Sequence, residues 1–179
     1  MARTYISGTG LFTPSESISN EELVDSYNRY ATDYNTAHAA DIEAGRLEPL
    51  PLSSSEFIVK ASGIRSRYVL NKSGVLDPER MYPVLPRRSE DEPSIQCEMA
   101  VAAAREAMQR AGKGPEDIDA VLVACSNLQR PYPAVAVEVQ QALGIGGFAF
   151  DLNVACSSAT FGIQTAVDAV SNGSARAVL

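Results

Sequence analysis

The chain has 179 residues, 45% of them hydrophobic and 21% charged, enough for one globular domain with a substantial core. Its net charge of −7 argues against non-specific nucleic-acid binding, because a phosphate backbone needs a basic face. No apolar run reaches the ~18 residues that span a bilayer, the first residues lack a signal-peptide core, and Cys97, Cys125 and Cys156 are an odd, widely spaced set that suits reduced thiols in a cytoplasmic protein.

The elements expected from pattern run as follows. Residues 4–11, small and β-branched, read as a strand. A helix follows over about 20–30, with Ser19 and Glu22 spaced as a capping box. Residues 31–53 are polar and ambiguous and hold the only histidine, His38. Ser53 and Glu56 form a second capping box, opening a short helix that Gly63 ends. Residues 65–70 suit a short strand, and 71–92 an irregular loop. A long helix is expected over 93–111, its apolar stripe made by Ile95, Met99, Ala102, Ala103 and Met108, with Gly112 just past its end. Then come a buried strand over 119–125, a helix over 133–143 ended by Gly144, a strand over 148–152, a helix over 157–171 and a strand starting at 175. This alternation argues for a layered α/β domain. Residues 176–179 rise in hydrophobicity with no cap or polar tail. They read as the middle of a core strand, so the 179 residues are expected to be the first part of a longer protein.

Cys156 is the residue with most chemical content. It stands where the strand ending at Leu152 turns, through small residues, into the helix from Ser157. The N–H groups at a helix start favour thiolate over thiol and can hold a developing oxyanion. Strand, tight turn, nucleophile and helix together make an acyl-transfer arrangement. A buried structural cysteine fits the same residues, since free Cys packs like a small hydrophobe, and on the residues alone both readings stand. Three other motifs carry less. Gly8-Thr9-Gly10 lacks the third glycine of a dinucleotide fingerprint, position 13 being Thr. His38 reads as a solvated surface residue, and Arg87-Arg88, beside Glu90, Asp91 and Glu92, as a solvated charge cluster.

Four sets of residues resemble β-ketoacyl-acyl-carrier-protein synthase III (KAS III), of the thiolase superfamily. They are Ile6-Ser7-Gly8-Thr9-Gly10 with Pro14; Ser55 to Val59 with Ser62-Gly63-Ile64-Arg65-Ser66-Arg67; Tyr132-Pro133-Ala134 with Gln140 to Gly144; and Ala149-Phe150-Asp151 with Ala155-Cys156. They follow family order across nearly the whole chain. The Gly-Ile-Arg-x-Arg run and the cysteine segment carry most of the weight.

The resemblance implies an N-terminal thiolase-like half over residues 1–179, with 31–53 and 71–92 as insertion or loop segments. It implies a mixed five-stranded sheet with helices on both faces, and αβαβα layers when the C-terminal half is present. The nucleophile helix would then be buried between two sheets. Cys156 would take an acyl group from acyl-CoA and pass it to malonyl on acyl carrier protein by decarboxylative Claisen condensation, its own N–H serving as one oxyanion donor. Tyr132 would close the acyl pocket of a homodimer partner; the other reading of it is a turn aromatic before Pro133. Phe57 would stack on the CoA adenine; on the residues alone it is equally a helix residue facing the core. The strand over 148–152 would pair with its twofold mate.

No cofactor, metal, membrane or nucleic-acid partner is implied, and the family location is cytoplasmic. The catalytic histidine and asparagine would lie outside this chain, so the fragment alone is expected to be inactive. Acyl carrier protein is acidic, and the basic docking patch is expected outside these residues too. Two departures stand out. Ala61 replaces an arginine that typically covers the other face of the adenine, and residues 31–53 form a longer segment than usual. They put acetyl priming in question and favour a longer acyl group. The alternatives are another thiolase-fold condensing enzyme, of hydroxymethylglutaryl-CoA or quinolone type, and a non-catalytic interaction or dimerisation module.

Overall fold

The structure, a computed structural model, describes residues 3–89 and 91–179. They divide into two compact units, Thr13–Arg87 and the N-terminal segment through Phe12 with Arg88–Leu179.

In the unit Thr13–Arg87, β1 (Glu16–Ser19) pairs antiparallel with β2 (Ser66–Val69), and Ile18 is fully buried. The capping box forms as expected: the Glu22 N–H donates to Ser19 Oγ at 3.2 Å, and the Ser19 N–H to Glu22 Oε2 at 2.9 Å. The helix it opens, α1 (Asn20–Ala37), runs two turns past its expected end, because no Gly or Pro interrupts residues 31–37. His38 ends it, and α2 (Ala39–Glu43) follows. The His38 ring is half-buried, stacks on Tyr34 at 4.2 Å and places Nδ1 2.8 Å from the Tyr34 carbonyl. A freely solvated histidine was the wrong expectation, because the ring completes the helix end.

The chain then straps back along α1. Asn28 holds both backbone groups of Ser53, at 3.0 and 2.8 Å, and Asn35 does the same to Leu50, at 2.9 and 2.8 Å. With Ser53 so engaged, Ser54 becomes the cap of α3 (Ser55–Ser62), accepting the Phe57 N–H at 3.1 Å. Gly63 closes that helix in the left-handed region at φ 73°, as expected. The loop over 71–92 contains one helical turn, α4 (Ser73–Leu76).

The other unit starts with α5 (Ile95–Ala111), capped by Ser94, which accepts the Cys97 N–H at 3.0 Å. Two parallel strands follow, β3 (Ala120–Ala124) and β4 (Phe148–Leu152), joined through α6 (Val135–Leu143) and followed by α7 (Ser158–Ser171). Residues 177–179 lie on the other edge of β3: Ala120 bridges Val178, and the Leu122 N–H donates to the Leu179 carbonyl at 2.9 Å. Cys97, Val101, Met108, Val121, Val135 and Val139 form the core between α5, β3 and α6.

The mixed α/β class stands, but the described residues do not assemble a five-stranded sheet. They give two two-stranded sheets, and residues 4–11 join neither. That segment lies on the alanine face of α5 instead. A side chain at Gly8 or Gly10 would collide with the backbone of Ala107 or Ala103, so the glycines permit a contact that larger residues forbid. The Leu11 N–H donates to Glu106 at 2.8 Å, and Arg110 donates to the Thr9 carbonyl at 3.1 Å. Arg88 also departs from expectation. Its guanidinium grips Glu98 bidentately at 2.8 and 2.7 Å and reaches the Pro93 carbonyl at 2.8 Å, which fixes the approach to α5.

Two carboxylates anchor this unit. Asp151, on β4, accepts the Val135 and Ala136 N–H groups at 2.9 and 2.8 Å and so caps α6 from the neighbouring strand. Asp119 accepts Arg176 at 3.1 and 2.9 Å, and this guanidinium holds its carboxyl well below the usual carboxylate range. Asp151→Ala should lower unfolding free energy by about 1–2 kcal/mol, the cost of losing a helix cap, with Asp151→Asn milder; denaturant titration checks it. For Asp119 the folded pKa is depressed, so its contribution is fully present above the unfolded value of about 4 and is lost as pH falls further. The melting-temperature difference between wild type and Arg176→Ala should therefore narrow below about pH 4, and a constant difference would contradict the linkage.

Candidate active site

Because β3 and β4 are parallel, the chain leaves both at the same edge. The Cys125 N–H donates to the Leu152 carbonyl at 3.1 Å, the last rung before the strands part. From there β3 leads into residues 125–134 and β4 into the turn that carries Cys156. Chain exits at the carboxyl ends of parallel strands are where α/β proteins place ligands.

The turn is a single 3-10 turn, Ala155–Ser157, directly before α7. Ala155 stands at φ 47°, a left-handed conformation for a residue with a side chain, which typically costs ~1–3 kcal/mol and clusters at functional sites. Side chains on both sides hold it. Asn153 Oδ1 accepts the Ala155 N–H at 3.0 Å, and Ser158 Oγ accepts the Val154 N–H at 2.9 Å while donating to the Ala155 carbonyl at 2.7 Å. Ser158 is buried, whereas Cys156 is exposed. Cys156 stands two residues before Ser158, the first residue of the 14-residue α7. Gly162, one turn into α7, lies against the strand ends: a Cβ there would be 3.3 Å from that of Ala124, so α7 packs closely beneath the turn.

The loop over 125–134 is tethered from the first turn of α5. Gln96 Nε2 donates to the Asn127 carbonyl at 2.7 Å and to Cys125 Sγ at 3.4 Å, and Gln96 Oε1 accepts the Gln129 N–H. Asn153 Nδ2 donates to the Ser126 carbonyl at 3.3 Å, joining the loop to the nucleophile turn. Tyr132, at the far end of this loop, is 88% exposed, and Asp151 fixes the start of α6 just beyond it. Cys97 differs from Cys156: it is buried, and burial pushes its thiol pKa up, with Glu138 and Glu98 adding to the effect.

Phe57 lies on α3, in the other unit, and is 64% exposed. Its helix borders an open cavity of about 410 Å³ lined by Glu21, Ser55, Glu56, Lys60 and Arg65. Sequence reasoning missed Asn153, Gln96 and the capping role of Asp151. Asn153 had a local signal, an Asn two residues before a small turn residue. Gln96 had none, since its partners are some thirty residues away.

No family model matches the chain. Among curated proteins it is 65% identical, over 87% of its length, to "Beta-ketodecanoyl-[acyl-carrier-protein] synthase" of Pseudomonas aeruginosa, and covers 45% of that protein. It is 32% identical over its whole length to a "Beta-ketoacyl-[acyl-carrier-protein] synthase III" of Granulibacter bethesdensis, covering 42% of it. The chain thus spans less than half the length of these relatives. Among solved structures, 3-oxoacyl-[acyl-carrier-protein] synthase III from Aquifex aeolicus aligns over 94% of this chain and 40% of its own, at TM-score 0.64 and 24% identity. The priming beta-ketosynthase of the R1128 polyketide pathway aligns over 92% of this chain and 36% of its own, at TM-score 0.60 and 26% identity. With its thiolase-like fold and its homology to KAS III acyltransferases, the chain belongs to the β-ketoacyl-acyl-carrier-protein synthase III family, as a segment of it.

Proposed function

We propose that these residues are the nucleophile-bearing N-terminal half of a condensing acyltransferase of fatty-acid synthesis. The observation that carries the reading is the exposed Cys156 on a left-handed turn at the start of α7. The Cys156 thiolate attacks the carbonyl of an acyl thioester, a C–S bond forms, and the CoA thiolate leaves and takes up a proton. Malonyl on acyl carrier protein then loses CO2. The carbanion so formed attacks the acyl-Cys156 carbonyl, and the sulfur leaves as thiolate, giving β-ketoacyl-acyl carrier protein. A sulfur nucleophile suits thioester exchange because attacking and leaving groups are alike. The oxyanion of each tetrahedral intermediate would be held by the Cys156 N–H and by a donor from the other half, which would also supply the histidine and asparagine. Removing one such donor typically costs ~2.7–4 kcal/mol, so the 179 residues alone should form no product.

The finer reading concerns chain length. A β-ketodecanoyl product comes from an eight-carbon acyl group and two malonyl carbons, and the chain's 65% identity to a synthase of that name favours the same primer here. Ala61, and the segment 31–53 built onto α1 by Asn28 and Asn35, accord with a departure from acetyl priming. We place Phe57 at the CoA adenine and Tyr132 at the acyl pocket of a dimer partner. The free edge of β4 supports a homodimer: β3 is its sole ladder neighbour among the described residues, and Phe148 and Phe150 are partly exposed and stacked at 6.2 Å. No helix among the described residues is long and apolar enough to cross a membrane, and we propose a cytoplasmic protein. With the remaining half present, condensation with malonyl-acyl carrier protein should be faster from octanoyl-CoA than from acetyl-CoA, and Cys156→Ala should abolish it while the protein stays folded. Condensation that survives Cys156→Ala would refute the nucleophile; an acetyl preference would refute the finer reading alone.

A further inference from the structure

We infer that Asn153 is a positioning residue for Cys156, holding the nucleophile turn in its left-handed form and joining it to the loop that carries Tyr132. The inference rests on the reading of Cys156 as the nucleophile. Asn153 uses both ends of its amide: Oδ1 accepts the Ala155 N–H at 3.0 Å and Nδ2 donates to the Ser126 carbonyl at 3.3 Å. The first bond turns the Ala155 N–H back toward residue 153, a geometry that accompanies φ 47° at Ala155. An alanine released from that bond relaxes toward negative φ, where its side chain no longer crowds the backbone. Such a rotation directly precedes Cys156 and would redirect its side chain relative to the start of α7. Ser158 grips the same turn from the helix side through Val154 and Ala155, so the turn persists without Asn153 but loses its preferred conformation. The Ser126 bond ties the nucleophile turn to the chain leaving β3.

The test measures alkylation of Cys156 by neutral iodoacetamide in the full chain across a pH series, reading the Cys156 peptide by mass spectrometry. Asn153→Ala should slow the reaction roughly tenfold, the scale of one lost hydrogen bond. Adding Ala155→Gly should restore the rate to within about threefold, because glycine adopts positive φ without help. A merely structural role for Asn153 predicts no such rescue. Asn153→Asp keeps the acceptor for the Ala155 N–H and should leave the high-pH plateau within about twofold of wild type. If Asn153→Ala does not fold, this variant decides, and a collapsed plateau overturns the inference. An unchanged rate in Asn153→Ala, or failure of glycine to rescue it, overturns it as well. The function fails separately: alkylation that behaves as described, with no acyl adduct on Cys156 from acyl-CoA, would refute the synthase reading and leave the positioning role standing.

Discussion

The five-rung parallel ladder between β3 and β4 is the constraint on which the site depends. Parallel strands require a crossover, here α6, and they release the chain at one edge. The loop after β3 and the nucleophile turn after β4 therefore emerge side by side. The ladder alone would leave their spacing loose. Three polar ties remove that freedom: Asp151 caps the crossover helix from within β4, Asn153 reaches Ser126 across the gap, and Gln96 holds residues 125–129 from α5. Each replaces solvent on a backbone group that an irregular segment would otherwise leave unpaired.

The arrangement separates three thiols by environment. Cys97 is desolvated between α5 and the sheet, and its neutral form is favoured there. Cys125 accepts N–H groups from Gln96 and Asn127 at 3.4 Å and is half-buried. Only Cys156 combines exposure with a helix start. Sulfur chemistry is thus directed by position, since all three residues are chemically the same.

Much of the fold was legible where one residue decides a boundary. Ser19 with Glu22, Gly63, Gly112 and Gly144 ended or opened helices as local capping rules require, and β4 was delimited to the residue by its apolar run. Failures came where a distant partner decides. Residues 4–11 carry strand composition, yet their glycines meet the α5 backbone. Ser53 carries a cap signal, yet Asn28 takes its backbone and Ser54 caps instead. The strap over 45–54 could not be read because asparagine binding to a remote peptide leaves no periodic trace. At the site, the strand–turn–helix order around Cys156 was legible from the sequence, while the residues that hold its turn were visible only in three dimensions.

The central claim is that Cys156 carries the acyl group. Incubating the protein with octanoyl-CoA, trapping with acid and mapping peptides by mass spectrometry tests it directly. The account predicts one octanoyl thioester on the peptide containing Cys156, removable by hydroxylamine. An octanoyl group on Cys125, Cys97 or a serine hydroxyl, with Cys156 unmodified, would contradict it.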